Sequence, residues 1–272
     1  RLFSSVFICV HLWLEPMRIA IVIERFDPHA GGAERSTAQI VNELVDRGHT
    51  VTILCGRAAA VELPGVEVRP LGRLRLGTAA GLVAFASAAE KALAEGRFDV
   101  SLSISTAVRA DVLQPRGGTV RETLIRTVAA RSSWLGRMGK RTAVAWTPKY
   151  HAQLRLEART LADPRVRRVV AVSRYVADQL NGHYGMDRTR IDVIPNAAVM
   201  PTPADDERAR WRQDIRSGLG IGDGATVYLF AAQNPRLKGF EPFLHALARA
   251  AEGGIDAVGL LAPIAQGRGV AV

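Results

Sequence analysis

The sequence is poor in sulfur and aromatic rings, and it lacks the motifs of the commoner cofactor and metal enzymes. Its two cysteines, Cys9 and Cys55, lie far apart without Cys-x-x-Cys spacing, which argues against a disulfide framework or a thiolate zinc site. Six histidines are scattered and none falls in His-Glu-x-x-His, so a metal-hydrolase reading has no support. Neither Gly-x-x-x-x-Gly-Lys-Ser/Thr nor Gly-x-Gly-x-x-Gly occurs, so nucleotide binding through either of those loops is excluded. Aromatic residues make up only 6%, and the abundance of Ala, Leu, Val and Gly favours a helix-and-strand domain over an all-β one. No internal repeat is present.

What is present is enough for a sizeable core: 272 residues, 48% of them hydrophobic. Thirty-six Lys and Arg against 26 Asp and Glu give a net charge of +10. Such a balance favours phosphorylated ligands, nucleic acid or acidic lipid, although a coding preference for arginine produces the same excess. No aromatic-basic platform accompanies the charge, so a nucleic-acid partner is not expected. Residues 1–16 are apolar, too short to span a bilayer and without a small-residue cleavage site. Met17 reads as a start, so 1–16 is expected to be a non-native or disordered leader, with an interfacial anchor as the alternative.

Residues 18–24 form a continuous run of strand formers, as in a parallel strand buried on both faces. A loop with Asp27, Pro28, Gly31 and Gly32 follows, then apolar positions at helical spacing over 33–47, then a second strand at 50–55. This is a βαβ unit, whose ligand edge lies at the strand C-termini. Helices are expected at 79–95, 149–161 and 174–184, and strands at 99–104, 168–172 and 191–194. The charged stretch 205–216 suits a linker or surface helix. A second βαβ pattern then occupies 226–231, 240–251 and 256–261. One such unit is too little for a domain, so a longer natural protein is expected.

Two loops offer chemistry. Gly31 and Gly32 stand between a buried strand and a helix N-terminus, where free N–H groups and the helix dipole favour an anion; equally, glycines there simply make the turn. Arg236 and Lys238 follow the first strand of the second unit, placed to neutralise a diphosphate or to remain as solvated loop cations. Ser173 reads as a helix N-cap.

Taken together, Gly31-Gly-Ala-Glu, Arg47-Gly-His-Thr-Val, Val170-Ala-Val-Ser-Arg-Tyr-Val, Ile191-Asp-Val-Ile-Pro-Asn and the Lys238-Gly-Phe turn follow one another as in glycosyltransferase family 4. From about residue 17 onward the chain resembles that family. The stretches 156–161 and 183–185 resemble its lipopolysaccharide-core glucosyltransferase branch. The resemblance implies an α/β, GT-B fold: a Rossmann-like doubly wound N-terminal, acceptor-side domain over 17–200, a linker over 201–222 and the start of a donor-side domain over 223–272. It implies a retaining transfer from a nucleotide-sugar donor to a glycan or lipid acceptor of the cell envelope, without metal or cofactor. The absence of Asp-x-Asp agrees with this. By position, Lys238 matches the family's diphosphate-binding lysine, with Arg236 beside it, and Gly31 and Gly32 match its phosphate-approaching loop. Asp111, taken to follow a short strand, matches an acidic position near the sugar and is the candidate catalytic residue, with a solvated loop carboxylate as the equal alternative. Two departures stand out. Ala232 occupies the place of a common arginine, and the family's Glu-x7-Glu segment does not occur before Val272.

Between residues 116 and 149, Arg116, Arg121, Arg126, Arg131, Arg137, Lys140, Arg141 and Lys149 face one acid, Glu122, with Leu124, Ile125, Val128, Trp134 and Leu135 between them. That composition suits a surface held at an anionic membrane, hence a cytoplasmic enzyme at the inner face of the membrane. A solvated helix face over ordinary core residues is the plainer alternative. An inactive fragment that only binds carbohydrate or membrane is the rival function.

Overall fold

The computed structural model describes residues 15–28, 32–59, 63–72, 77–131, 133–197, 202–232, 235 and 238–262; residues 1–14 of the expected leader lie outside them. Two strands rich in β-branched residues, β1 (Arg18–Phe26) and β2 (Thr50–Ala58), pair in parallel at the heart of the larger sheet. Five consecutive residues of β1 and six of β2 are buried, which requires cover on both faces.

Strand alternation divides that cover. Ala20, Val22 and Leu54 face Leu82, Phe85, Ala86 and Ala89 of helix α2 (Ala79–Glu95). Ile19, Ile21, Ile23, Val51, Ile53 and Cys55 face Ala38 and Val41 of helix α1 (Gly32–Asp46). Each fully buried Phe, Ile or Leu here contributes about 1.5–3 kcal/mol. The Cys55 thiol is pushed up to about 11 by burial, which makes it an inert core group.

The sheet continues with β3 (Val66–Pro70) outside β2, and with β4 (Val100–Ser103), β5 (Val112–Leu113), β6 (Arg168–Ala171) and β7 (Ile191–Val193) beyond β1. Its order is β3-β2-β1-β4-β5-β6-β7, and all pairs are parallel. The chain therefore winds outward in both directions from the β1/β4 boundary, the place where such sheets open a crevice for ligand.

Helices α3 (Val120–Ala129), α4 (Trp134–Trp146) and α5 (Pro148–Ala162) lie between β5 and β6, and α6 (Arg174–Tyr184) links β6 to β7. Ser173 caps α6, accepting from the Val176 N–H at 3.3 Å, and Gly185 closes it at φ 64°. Sequence periodicity did not anticipate β3, β5, α3 or α4. In β3, Glu67 and Arg69 alternate with Val66 and Val68 at a sheet edge, and β5 has only two residues.

A second, two-stranded parallel sheet pairs β8 (Thr226–Ala231) with β9 (Ala257–Ala262) across helix α8 (Phe240–Glu252). Phe230 packs against Phe240 and Phe243, with ring centres 5.4 and 5.1 Å apart. Before it, α7 (Asp205–Gly218) ends in buried Arg216, whose guanidinium ties the next turn by donating to the carbonyls of Gly222, Asp223 and Ala225.

Candidate functional site

The C-terminal ends of β1, β4 and β5 and the start of α1 enclose a cleft of about 410 Å³. Its charged and polar lining includes Glu24, Glu34, Ser105, Arg116 and Lys149, all drawn from the first sheet's side of the chain. Glu24 at the end of β1 accepts from the Ser105 hydroxyl at 2.9 Å, which crosses the β1/β4 boundary. Arg116 follows β5 and donates to Ser36 and Thr37 of α1.

The loop that carries Arg116 is anchored from behind. Gly118 has φ 79°, a backbone conformation that favours glycine, and a Cβ there would push against Gln179 Oε1 at 2.6 Å. Gln179 Oε1 accepts the Thr119 N–H at 2.9 Å, and the Thr119 hydroxyl caps α3 by accepting from Glu122 at 3.2 Å. The next two free N–H groups of α3, on Val120 and Arg121, donate to the fully buried Glu157 of α5 at 2.7 and 3.2 Å. The Tyr184 hydroxyl also donates to Glu157. All three leading amides of α3 are thus satisfied by side chains. Burial, with Glu157 beside it, raises the Tyr184 pKa above that of an ordinary phenol.

Glu122, one turn into α3, is gripped by the Tyr175 hydroxyl, by His183 at 2.7 Å and by Arg126 at 2.7 Å. These donors hold its carboxyl down at about 2. The cluster locks α3 to α6.

The expected site residues fall in different places. Gly32 opens α1, exposed beside the cleft, where Ala33 and Glu34 form part of the lining. Gly31 and Arg236 lie outside the described residues. Lys238 is exposed in the turn between β8 and α8, at the ligand edge of the second sheet, and the following Gly239 has φ 86°.

Asp111 requires a correction. It precedes β5 instead of following a strand, and its neighbour Val112 is level with Leu102 and Ile21. That is about 10 Å of strand short of Glu24. Its carboxylate accepts from the Ser101 N–H at 2.9 Å and the Ser101 hydroxyl at 2.6 Å, joining β4 to β5 near their N-terminal edge. Asp111 belongs to the frame, away from the cleft.

The basic segment also divides. Arg116 and Lys149 face the cleft, Arg126 pairs with Glu122, and Lys140 lies 5.5 Å from the Tyr150 ring centre. Leu124 is core, whereas Trp134, Leu135, Met138 and Trp146 of α4 are all more than half exposed. Sequence reasoning missed Glu24, Ser105 and the cleft role of Arg116 and Lys149. Position at or just past the C-terminal end of a parallel strand is the signal that points to the first three.

A doubly wound parallel sheet with a cleft at its switch point defines a Rossmann-like α/β protein. The family model described as Glycosyltransferase Family 4 matches residues 30–198, and the chain belongs to that family. Among solved structures it is similar to WaaG, a glycosyltransferase involved in lipopolysaccharide biosynthesis, at 16% identity and a TM-score of 0.67, covering 89% of this chain and 62% of that one. It is also similar to a glycosyltransferase from Rickettsia africae ESF-5, at 14% identity and a TM-score of 0.50, covering 92% and 61%. At such identities the likeness shows the GT-B fold. The chain thus spans about three fifths of the length of these structures. No curated protein matches it.

Proposed function

We propose that the protein transfers a sugar, with retention at the anomeric carbon, from a nucleotide-sugar donor to a glycan or lipid-linked acceptor of the cell envelope. The observation that carries this reading is the cleft at the β1/β4 switch point in a chain of glycosyltransferase family 4. In this reading the first sheet receives the acceptor and the second sheet the donor. As the glycosidic bond breaks, charge grows on the departing diphosphate. Lys238 in the turn after β8 and Gly32 at the α1 N-terminus, with Arg236 and Gly31 beside them in sequence, stabilise that charge more in the transition state than before it. Asp111 has no part in this step. No metal is invoked, since fixed cations and N–H dipoles perform the neutralisation.

A membrane setting is supported by α4, which has no buried residue. At 100° per residue, Trp134, Met138, Leu135 and Trp146 fall on one stripe about 120° wide, with Arg137 and Arg141 beside it. Exposed tryptophans flanked by arginines suit the headgroup layer of an anionic bilayer, where each cation adds about 1 kcal/mol. No described helix is long and apolar enough to cross a membrane, so contact would be at the surface. The test is a donor screen: the whole natural protein, given UDP- and GDP-sugars with lipid and glycan acceptors, should consume at least one donor, and failure with all of them rejects the reading.

A further inference from the structure

The cleft contains a cation that is without a counter-charge among the described residues. Arg116 is half-buried, and its guanidinium donates through Nη1 to Ser36 Oγ and through Nη2 to Thr37 Oγ1 at 3.4 Å. Both partners are neutral hydroxyls, and each already donates within α1, Ser36 to the Gly32 carbonyl and Thr37 to the Ala33 carbonyl, both at 2.7 Å. The Arg116 Nε–H is buried and has no partner among the described residues. Among the described residues no carboxylate forms an ion pair with it, whereas Arg109 is held by Glu90 and Asp163, and Arg126 by Glu122.

A half-buried guanidinium without a counter-charge is costly, and burial lowers its pKa. In a cleft, such a group is a candidate for completion by a ligand. The surroundings fit an anion. Arg25 and Lys149 line the same cleft, Gly117 beside Arg116 leaves open space, and the first turn of α1 contributes its N-terminal end. Of the two carboxylates in the lining, Glu24 is engaged by Ser105 and Glu34 makes no ion pair with Arg116.

We propose that Arg116 anchors an oxyanion site on the first sheet that takes a phosphate group of the substrate, its guanidinium charge facing the cleft while Ser36 and Thr37 hold it in place. The site rests on the reading of this cleft as the substrate cleft. The phosphate comes either from the donor's leaving diphosphate or from a phosphate carried by the acceptor, and both offer the same chemistry to a guanidinium.

The test uses the chain itself and needs no turnover. Isothermal titration at low salt measures inorganic pyrophosphate and glucose 6-phosphate binding to the wild type, Arg116→Gln, Arg116→Lys and Lys91→Gln, the last removing an exposed cation on α2. The wild type is expected to bind at least one anion, and Arg116→Gln to bind it about tenfold or more weakly, as for one lost charge-assisted hydrogen bond. Arg116→Lys should fall between them, since it keeps the charge but not the fork, and Lys91→Gln should match the wild type. Tighter pyrophosphate binding assigns the site to the donor, and tighter glucose 6-phosphate binding assigns it to the acceptor. Arg116→Gln also loses the two hydrogen bonds to α1, so its melting curve is recorded beside the titration to show that the variant is folded. Equal binding by wild type and Arg116→Gln, or no binding of either anion by wild type, overturns the proposal. Failure of sugar transfer with this binding intact would reject the proposed activity and leave the anion site standing.

Discussion

Replacing Glu157 by Gln should destabilise the first sheet through the helix that positions the cleft loop. The carboxylate is fully buried on α5 and receives three donors: the Val120 N–H at 2.7 Å, the Arg121 N–H at 3.2 Å and the Tyr184 hydroxyl. An amide has one acceptor oxygen, and its NH₂ group would point at further donors. At least one buried donor is then left unpaired, at about 1–3 kcal/mol. The negative charge at the N-terminus of α3 also disappears, worth up to about 1 kcal/mol. The sum is about 1–4 kcal/mol, which for a chain of this size lowers Tm by roughly 2–16 °C. Calorimetric melting at pH 7 measures it. Tyr184→Phe removes one donor and should cost about 1 kcal/mol. In the double variant the penalties should be less than additive, because the donor left unpaired by Gln is absent. Hydrogen exchange should show the loss first at the Val120 and Arg121 amides. A Glu157→Gln protein that melts with the wild type, or a strictly additive cycle, refutes the reasoning.

The other expectations are shorter. Asp111→Asn should lower Tm by breaking the tie to Ser101 while leaving donor turnover in the whole natural protein within about twofold of wild type; a 100-fold fall in turnover, the size of one lost transition-state group, would return Asp111 to catalysis. Glu122 has its carboxyl lowered to about 2 from an ordinary 4.5. Its stabilisation is therefore fully present above pH 4.5 and is lost as pH falls toward 2. Urea melts of Glu122→Gln should show lower stability at pH 7 and a flatter decline across that acid window, and an unchanged slope contradicts the assignment. Trp134→Ala with Leu135→Ala should reduce co-sedimentation with anionic vesicles without lowering Tm, because neither side chain is buried. Equal wild-type binding to neutral and anionic vesicles would remove the electrostatic part.

The buried strands β1 and β2 were legible because both faces are covered, so their apolar runs are unbroken. The helix α6 was legible from the Ser173 cap and the periodic Val176, Ala177 and Leu180. The Glu67 and Arg69 alternation of β3 resembles loop polarity, and β5 has two residues, too few for a period. Missing β5 had a consequence for function. Without that strand, Arg116 cannot be recognised as a residue at a strand's C-terminal edge, and it merges with the basic stretch that follows. Asp111 was misplaced for the same reason, since whether an acid precedes or follows a two-residue strand decides which edge of the sheet it occupies. Glu24 lay in plain view at the end of β1, but only the packing of β4 beside it brings Ser105 within reach.

The central claim is that this cleft belongs to a retaining sugar transfer. Proton NMR of the glycoside formed by the whole natural protein from an α-linked nucleotide sugar reads it most directly, through the anomeric coupling of the first product. The account predicts an α-linked product. A β-linked product, or no glycoside with any donor that the protein binds, would contradict it.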